Sequence, residues 1–247
     1  MRAADFTYET AELMRKADMG DAEAQYILAT HLLREEDFSL RKGLYPHEIE
    51  RAINYLEKAA VQGYYWGIAA LDLGDIYYNG KIVARDYKKA KLWYDTAVLQ
   101  NHPIASYMLG ECAYYGYDEE IDYKKAAELY RQAAYGYVNA FIRLGNMYMR
   151  GEYLPYDLKF AKRLYEHVIK EEEKFFERNE HYSDAYKQVK ASMEEWERII
   201  KPKKAAAIKE TQEQAAFRKK LFLILNKTEH VYVQYDQNTI YTGKYLI

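Results

Sequence analysis

Apolar positions along this chain recur in two alternating helical stripes. Ala105, Leu109, Gly110 and Ala113 stand at i, i+4, i+5 and i+8, which is one face of a helix. Ala90, Trp93, Tyr94 and Ala97 stand at i, i+3, i+4 and i+7, which is one face of another. The two stripes repeat as a pair. AALDLGDIYYNG (Ala69–Gly80) lies over ASYMLGECAYYG (Ala105–Gly116) 36 positions on, and AFIRLGNMYMRG (Ala140–Gly151) follows 35 later. DYKKAKLWYDTA (Asp86–Ala97), DYKKAAELYRQA (Asp122–Ala133) and DLKFAKRLYEHV (Asp157–Val168) form the matching second halves. An earlier, looser copy runs AQYILATHLLRE (Ala24–Glu35), a loop about seven residues longer, then IERAINYLEKAA (Ile49–Ala60). AELMRKADMGDAEA (Ala11–Ala24) reads as the second half of a further unit.

The punctuation agrees with helices. Asp86, Asp122 and Asp157 precede each second stripe, where a carboxylate accepts from free N–H groups and meets the positive end of the helix dipole. Gly80, Gly116 and Gly151 follow each first stripe, where a left-handed C-cap residue is wanted. Gly74, Gly110 and Gly145 fall in mid-helix, at a cost of about 1 kcal/mol each against alanine. Their recurrence at one register predicts that something passes too close there for a side chain. The repeat is therefore a helical hairpin, and the fold class expected is all-α: a right-handed superhelical solenoid of helix-turn-helix repeats over residues 1–180.

The Leu-Gly pair, the aromatic three positions further on, the loop glycine and the D-Y-x-x-A-x-x-W-Y-x-x-A segment resemble Sel1-like repeats, relatives of the tetratricopeptide repeat. The resemblance spans Ala11 to Glu177, and the first full repeat departs from it in carrying Ala29 in place of the mid-helix glycine. It implies a scaffold or adaptor of bacterial, cytoplasmic type, whose first helices line a concave groove that holds a partner protein or peptide. Some secreted relatives carry a cysteine pair per repeat, and this chain does not.

Positions +2, +6 and +9 from the leading alanine of each first helix lie opposite its packing stripe. They are Tyr26, Thr30 and Leu33; Leu71, Asp75 and Tyr78; Tyr107, Glu111 and Tyr114; and Ile142, Asn146 and Met149. The resemblance puts these twelve on the groove face. An aromatic and aliphatic strip with a few acid or amide groups suits a peptide laid along it. The same tyrosines at helical spacing also suit packing against the next repeat, and the sequence leaves both readings open.

Composition narrows the rest. With 36 basic and 38 acidic residues the net charge is −2, so nothing global points to nucleic acid or membrane. Half the chain is apolar, with 28 tyrosines and four prolines, as expected of a continuous folded chain. No secretory leader is visible in MRAADFTYETAEL, and the longest aliphatic or aromatic run, Leu221–Leu225, is too short for a span. Cys112 is the one cysteine, which excludes an intramolecular disulfide and favours a reducing compartment. The sequon at Asn226–Thr228 is read as chance.

After the fourth repeat the pattern dissolves into residues 181–247, read as helices followed by a terminal β-hairpin over His230–Ile247. That hairpin would dock on the helices, pair with a second chain in a homodimer, or begin something longer. Lys201, Lys203, Lys204, Lys209, Arg218, Lys219 and Lys220 form a basic cluster interleaved with Glu210 and Glu213, read as a solvated face rather than a nucleic-acid site. No metal-ligand spacing, phosphate loop or dinucleotide fingerprint occurs. Ser39–Lys42 matches S-x-x-K, but its companion motifs are missing. The runs Glu171–Glu173 and Glu194–Glu195 are read as surface decoration. No catalytic, cofactor or metal residue is nominated. A different class, a regulatory effector or enzyme with its activity in residues 203–247 and the repeats as a targeting arm, is the alternative.

Overall fold

The computed structural model describes residues 8–34, 46–179, 183–200 and 212–227. Among these, the regular elements are eleven α-helices and one short 3-10 turn. They are α1 (Tyr8–Asp18), α2 (Ala22–Arg34), α3 (Pro46–Val61), the 3-10 turn Tyr64–Gly67, α4 (Ile68–Asn79), α5 (Tyr87–Leu99) and α6 (Pro103–Tyr115). Then follow α7 (Tyr123–Ala133), α8 (Asn139–Arg150), α9 (Leu158–Asn179), α10 (Asp184–Ile200) and α11 (Gln212–Lys227). No strand occurs among the described residues, and the expected hairpin at 230–247 lies outside them, as do Ser39–Lys42 and Lys201, Lys203, Lys204 and Lys209. The chain forms two compact units, Met1–Ala105 and Ser106–Ile247, divided within α6.

Each hairpin is built by the same local chemistry. Asp86 Oδ1 accepts from the Lys89 amide at 3.0 Å, Asp122 from Lys125 at 2.9 Å and Asp157 from Phe160 at 2.9 Å. Asp21 does the same for α2, accepting from the Ala24 amide at 2.8 Å. Gly80, Gly116 and Gly151 end the first helices at φ of 66°, 70° and 72°, the left-handed region where a side chain is strained. The connecting loop is then closed by one recurring backbone bond: Asp86 N–H to Tyr77 C=O, Asp122 to Ala113 and Asp157 to Tyr148, at 2.9–3.0 Å. The paired lysines of the cap segments, Lys88, Lys89, Lys124 and Lys125, are exposed.

The mid-helix glycines have a specific cause. A Cβ on Gly110 would lie 2.6 Å from Cε1 and 2.7 Å from Cδ1 of Tyr130, and Cβ atoms on Gly74 and Gly145 would lie closer still to Tyr94 and Tyr165. Each of these tyrosines comes from the second helix of the same hairpin and is fully buried. Its hydroxyl then donates to the residue after the glycine: Tyr94 to Asp75 at 2.7 Å, Tyr130 to Glu111 at 2.6 Å and Tyr165 to Asn146 at 2.8 Å. A glycine lets the ring pass, and its neighbour satisfies the buried O–H. The first repeat solves the same packing differently. Ala29 replaces the glycine, and Leu56 stands where the tyrosines stand, with both side chains buried. With no hydroxyl to receive, Thr30 at the acceptor position bonds the Ile27 carbonyl of its own helix at 2.9 Å.

In the second unit, α9 is long and α10 returns onto it. Ser183 caps α10, accepting from the Ala185 amide at 3.1 Å and donating its hydroxyl to Glu172 at 2.5 Å. The reading of Glu171–Glu173 as surface charge is corrected here: Glu171 and Glu172 are buried, and only Glu173 is exposed. Glu172 also accepts the Ser183 amide at 3.1 Å, and Glu171 pairs with Lys174 at 2.9 Å. Helical spacing alone gave no sign that a second helix start would settle on that face. α11 joins this core through Phe217, Leu221 and Ile224. Of the basic cluster, Arg218 is tied to Asp157 at 2.9 Å, while Lys219 and Lys220 are exposed.

Candidate partner-binding face

The twelve candidate positions divide into packed and half-open sets. Tyr26, Leu71, Tyr107, Glu111, Ile142 and Met149 are buried, and Thr30, Leu33, Asp75, Tyr78, Tyr114 and Asn146 are half-buried. The +2 positions are therefore mainly packing residues. The reason is geometric: within the first unit, for example, α4 packs against both α3 and α5, which leaves a narrow arc of its surface open.

In the first unit, the Tyr26 hydroxyl donates to Asp72 of α4 at 3.0 Å. Asp75 follows one turn later beneath the Tyr94 hydroxyl, and Tyr78 sits edge-on to Tyr87 with ring centroids 5.5 Å apart. Burial pushes the Asp75 carboxyl up to about 7, the Tyr94 hydrogen bond opposes that, and the Asp72 charge adds to it.

In the second unit, the same register holds an ion pair. Arg143 of α8 donates to the Glu111 carboxylate and, at 3.2 Å, to the Tyr107 hydroxyl. Its guanidinium also lies 5.7 Å from the Tyr115 ring centroid. Burial opposes the charge on Arg143, but Tyr107 and Glu111 outweigh it and hold the guanidinium more firmly protonated than usual. Burial, with the Glu111 charge added, pushes the Tyr107 and Tyr130 hydroxyls up, so both stay protonated, Tyr130 donating to Glu111 and Tyr107 accepting from Arg143. One turn on, Tyr114 donates to Glu152 at 2.7 Å and accepts from Arg150 at 3.3 Å. Burial first, then that bond to Glu152, brings the Tyr114 hydroxyl up to about 12.

Three carboxyl or amide positions, Asp75, Glu111 and Asn146, thus serve first as acceptors for a buried tyrosine. Arg143 and Asp72 were missed by the +2, +6, +9 reading because both stand at +3. A signal existed: the +3 residues are Ile27, Asp72, Met108 and Arg143, which run from apolar to acidic to basic at a single register. Among the described residues there is no group of three or more His, Cys, Asp or Glu side chains arranged to hold a metal ion, and no helix long and apolar enough to cross a membrane.

Comparison with known proteins agrees with this architecture. The Sel1 repeat matches at residues 22–64, 67–102, 103–136 and 140–166. An ERAD-associated E3 ubiquitin-protein ligase component, HRD3B of Arabidopsis thaliana, is 38% identical over 79 residues, 32% of this chain and 13% of the relative. Protein sel-1 homolog 2 of Homo sapiens is 37% identical over 82 residues, 32% of this chain and 12% of the relative. This chain therefore spans only about an eighth of the length of these curated relatives. Among solved structures, a Sel1 repeat protein from Oxalobacter formigenes superposes with a TM-score of 0.54 at 27% identity, covering 66% of this chain and 63% of that one. The protective antigen c5321 of uropathogenic Escherichia coli, with an SLR fold, gives 0.53 at 24% identity over 85% of this chain and 47% of its own, a likeness of fold alone. Four matched repeats, each a glycine-and-tyrosine hairpin or its alanine-and-leucine counterpart, make this chain a member of the Sel1 repeat family.

Proposed function

We propose that this protein is an interaction scaffold that holds a partner protein or peptide on the open arc of its first helices. The observation that carries the reading is the division of labour within each repeat. The second-helix alanines and cap aspartates recur from repeat to repeat, whereas the half-buried first-helix residues change in character: Thr30, Asp75 and Asn146 share one register, and Leu33 gives way to Tyr78 and Tyr114 at another. Framework positions that repeat and open positions that vary are what a repeat protein needs to hold one fold and read an individual partner. The Arabidopsis relative, named as a component of a larger ligase, supports an assembly role. A reducing, cytoplasmic setting belongs to the same reading and is supported by the single buried cysteine, Cys112.

The test is capture of partners by proximity crosslinking in the native cell, with Tyr78→Arg and Tyr114→Arg made separately. Both residues are half-buried on first helices and also touch neighbouring rings, so the fold of each variant is checked before its crosslinks are read. The expected result is loss of specific crosslinked proteins with far-UV circular dichroism unchanged. An unaltered crosslinking profile from both folded variants would refute the proposal.

A further inference from the structure

The connection between α3 and α4 departs from every other one in the array. From the alanine that closes the packing stripe of a second helix to the leading alanine of the next first helix, the chain takes seven positions (Ala17–Ala24, Ala133–Ala140) or eight (Ala97–Ala105), but ten from Ala59 to Ala69. The added two or three positions fall in the segment Gly63-Tyr64-Tyr65-Trp66-Gly67. Gly63, Tyr65, Trp66 and Gly67 all lie at positive φ, 71°, 44°, 56° and 89°. Two adjacent aromatic residues in that region are unusual, because the left-handed conformation is disfavoured by a Cβ.

The segment is pinned at both ends. A Cβ on Gly67 would meet the Ala97 Cα at 3.1 Å and Gln100 Oε1 at 3.0 Å, and Gln100 Nε2 donates to the Ala60 carbonyl at 3.0 Å. Tyr65 and Trp66 stay 47% and 53% exposed, nearly parallel at 19°, with centroids 6.4 Å apart. The aromatic surface is continuous inward: Tyr65 to Tyr64 is 6.2 Å and Tyr64 to Tyr26 is 5.1 Å. One carboxylate is tied into this ladder directly, Asp72 accepting from Tyr26 at 3.0 Å. Burial pushes the Tyr64 hydroxyl up, and the negative charges of the exposed Glu23 and Asp21, at the start of α2, add to that.

We propose that the Tyr64–Trp66 ladder is a docking surface for an arginine-bearing segment of the protein partner, an inference that rests on the scaffold reading above. Exposed aromatic faces attract a flat cation, and the adjacent acidic groups supply the complementary charge. Arginine fits better than lysine, because its planar guanidinium stacks on a ring while its edge reaches a carboxylate such as Glu23.

The probe is a Gly/Ser peptide carrying three arginines, titrated into the full chain at low salt and followed by calorimetry and tryptophan fluorescence. The controls are the same peptide with citrulline or with lysine at the three positions. The arginine peptide is expected to bind at least tenfold tighter than the citrulline peptide and measurably tighter than the lysine peptide. Tyr65→Gly with Trp66→Gly removes both rings while tolerating the left-handed backbone, and should lower arginine-peptide affinity at least fivefold. Glu23→Gln, on a different element, should lower it about threefold. Equal binding of arginine and citrulline peptides overturns the proposal, as does full affinity in the double-glycine variant. So does concentration-dependent self-association in sedimentation that the same variant abolishes, since the ladder would then be a contact between copies. Loss of partner crosslinks in Tyr78→Arg, with no arginine preference in the peptide assay, leaves the scaffold reading standing and removes this one.

Discussion

Gly110→Ala tests whether the recurring glycine exists to admit the Tyr130 ring. The new methyl would sit 2.6 Å from Cε1, 2.7 Å from Cδ1 and 3.3 Å from Cζ. Carbon atoms prefer about 3.5–4.0 Å, so the ring or its helix must retreat by roughly 1 Å. Overpacking of this kind costs about 1–3 kcal/mol, and alanine returns about 1 kcal/mol in helix propensity. A net loss of about 1 kcal/mol is expected. Tyr130→Leu alone should cost about 2–4 kcal/mol through the cavity and the lost hydroxyl bond, though Glu111 keeps its pairing with Arg143. In that leucine background the added methyl meets no ring, which is the arrangement that Ala29 and Leu56 adopt in the first repeat. The alanine step should then change sign and stabilise by up to about 1 kcal/mol. Urea unfolding of the wild type, both single variants and the double variant measures the coupling, expected at about 1.5–2 kcal/mol. An alanine step of equal size in both backgrounds, within about 0.5 kcal/mol, would refute the steric account.

Two further predictions follow from the same register. The Asp75 carboxyl is pushed up to about 7 in the folded chain against an ordinary 3.8, so between those values the folded state retains a proton that the unfolded state has released. Stability therefore falls as pH rises from about 4 to about 7 and levels off above that. Asp75→Asn keeps an acceptor for Tyr94, as Asn146 does for Tyr165, and should raise the urea midpoint at pH 8 relative to wild type by more than at pH 4.5; equal differences at the two pH values would exclude the burial argument. Arg143→Met strands the buried Glu111 carboxylate and should cost about 3 kcal/mol, of which adding Glu111→Gln should recover at least half, because the pair's main contribution is to avoid an unpaired charge. Denaturation of the single and double variants decides it.

The hairpin framework was legible because a period of 35–36 residues places each cap, glycine and alanine in register several times over, so each copy checks the others. The Asp caps, the C-cap glycines and the exposed lysines of DYKKA all stand where that register puts them. The mid-helix glycines were legible as close approaches, but not as the partners of the second-helix tyrosines, since a spacing of 20 residues within one hairpin looks like any other pair of conspicuous positions. The burial of the candidate strip was legible only in part. A helical wheel orders residues by angle from one packing stripe, yet a first helix inside the array has neighbours on more than one side. Tyr26 and Tyr107 therefore face a neighbouring first helix, where Asp72 and Arg143 meet their hydroxyls. Glu172 was misread for a related reason: its hydrogen-bond partner is a serine eleven residues on, reached only after the chain has turned back.

The two packing solutions also constrain how one repeat can change into the other. Leaving aside the acceptor beside the glycine, a glycine–tyrosine hairpin and an alanine–leucine hairpin differ at two packing positions, so a path of single substitutions between them must visit one of two intermediates. Alanine opposite tyrosine is overfilled at a place where the nearest atoms belong to a buried ring. Glycine opposite leucine is merely underfilled, and it keeps every helix in place. Routes that shorten the tyrosine first are the open ones, and hairpins with glycine and leucine together are the intermediates to look for among members of the family that carry both kinds of repeat.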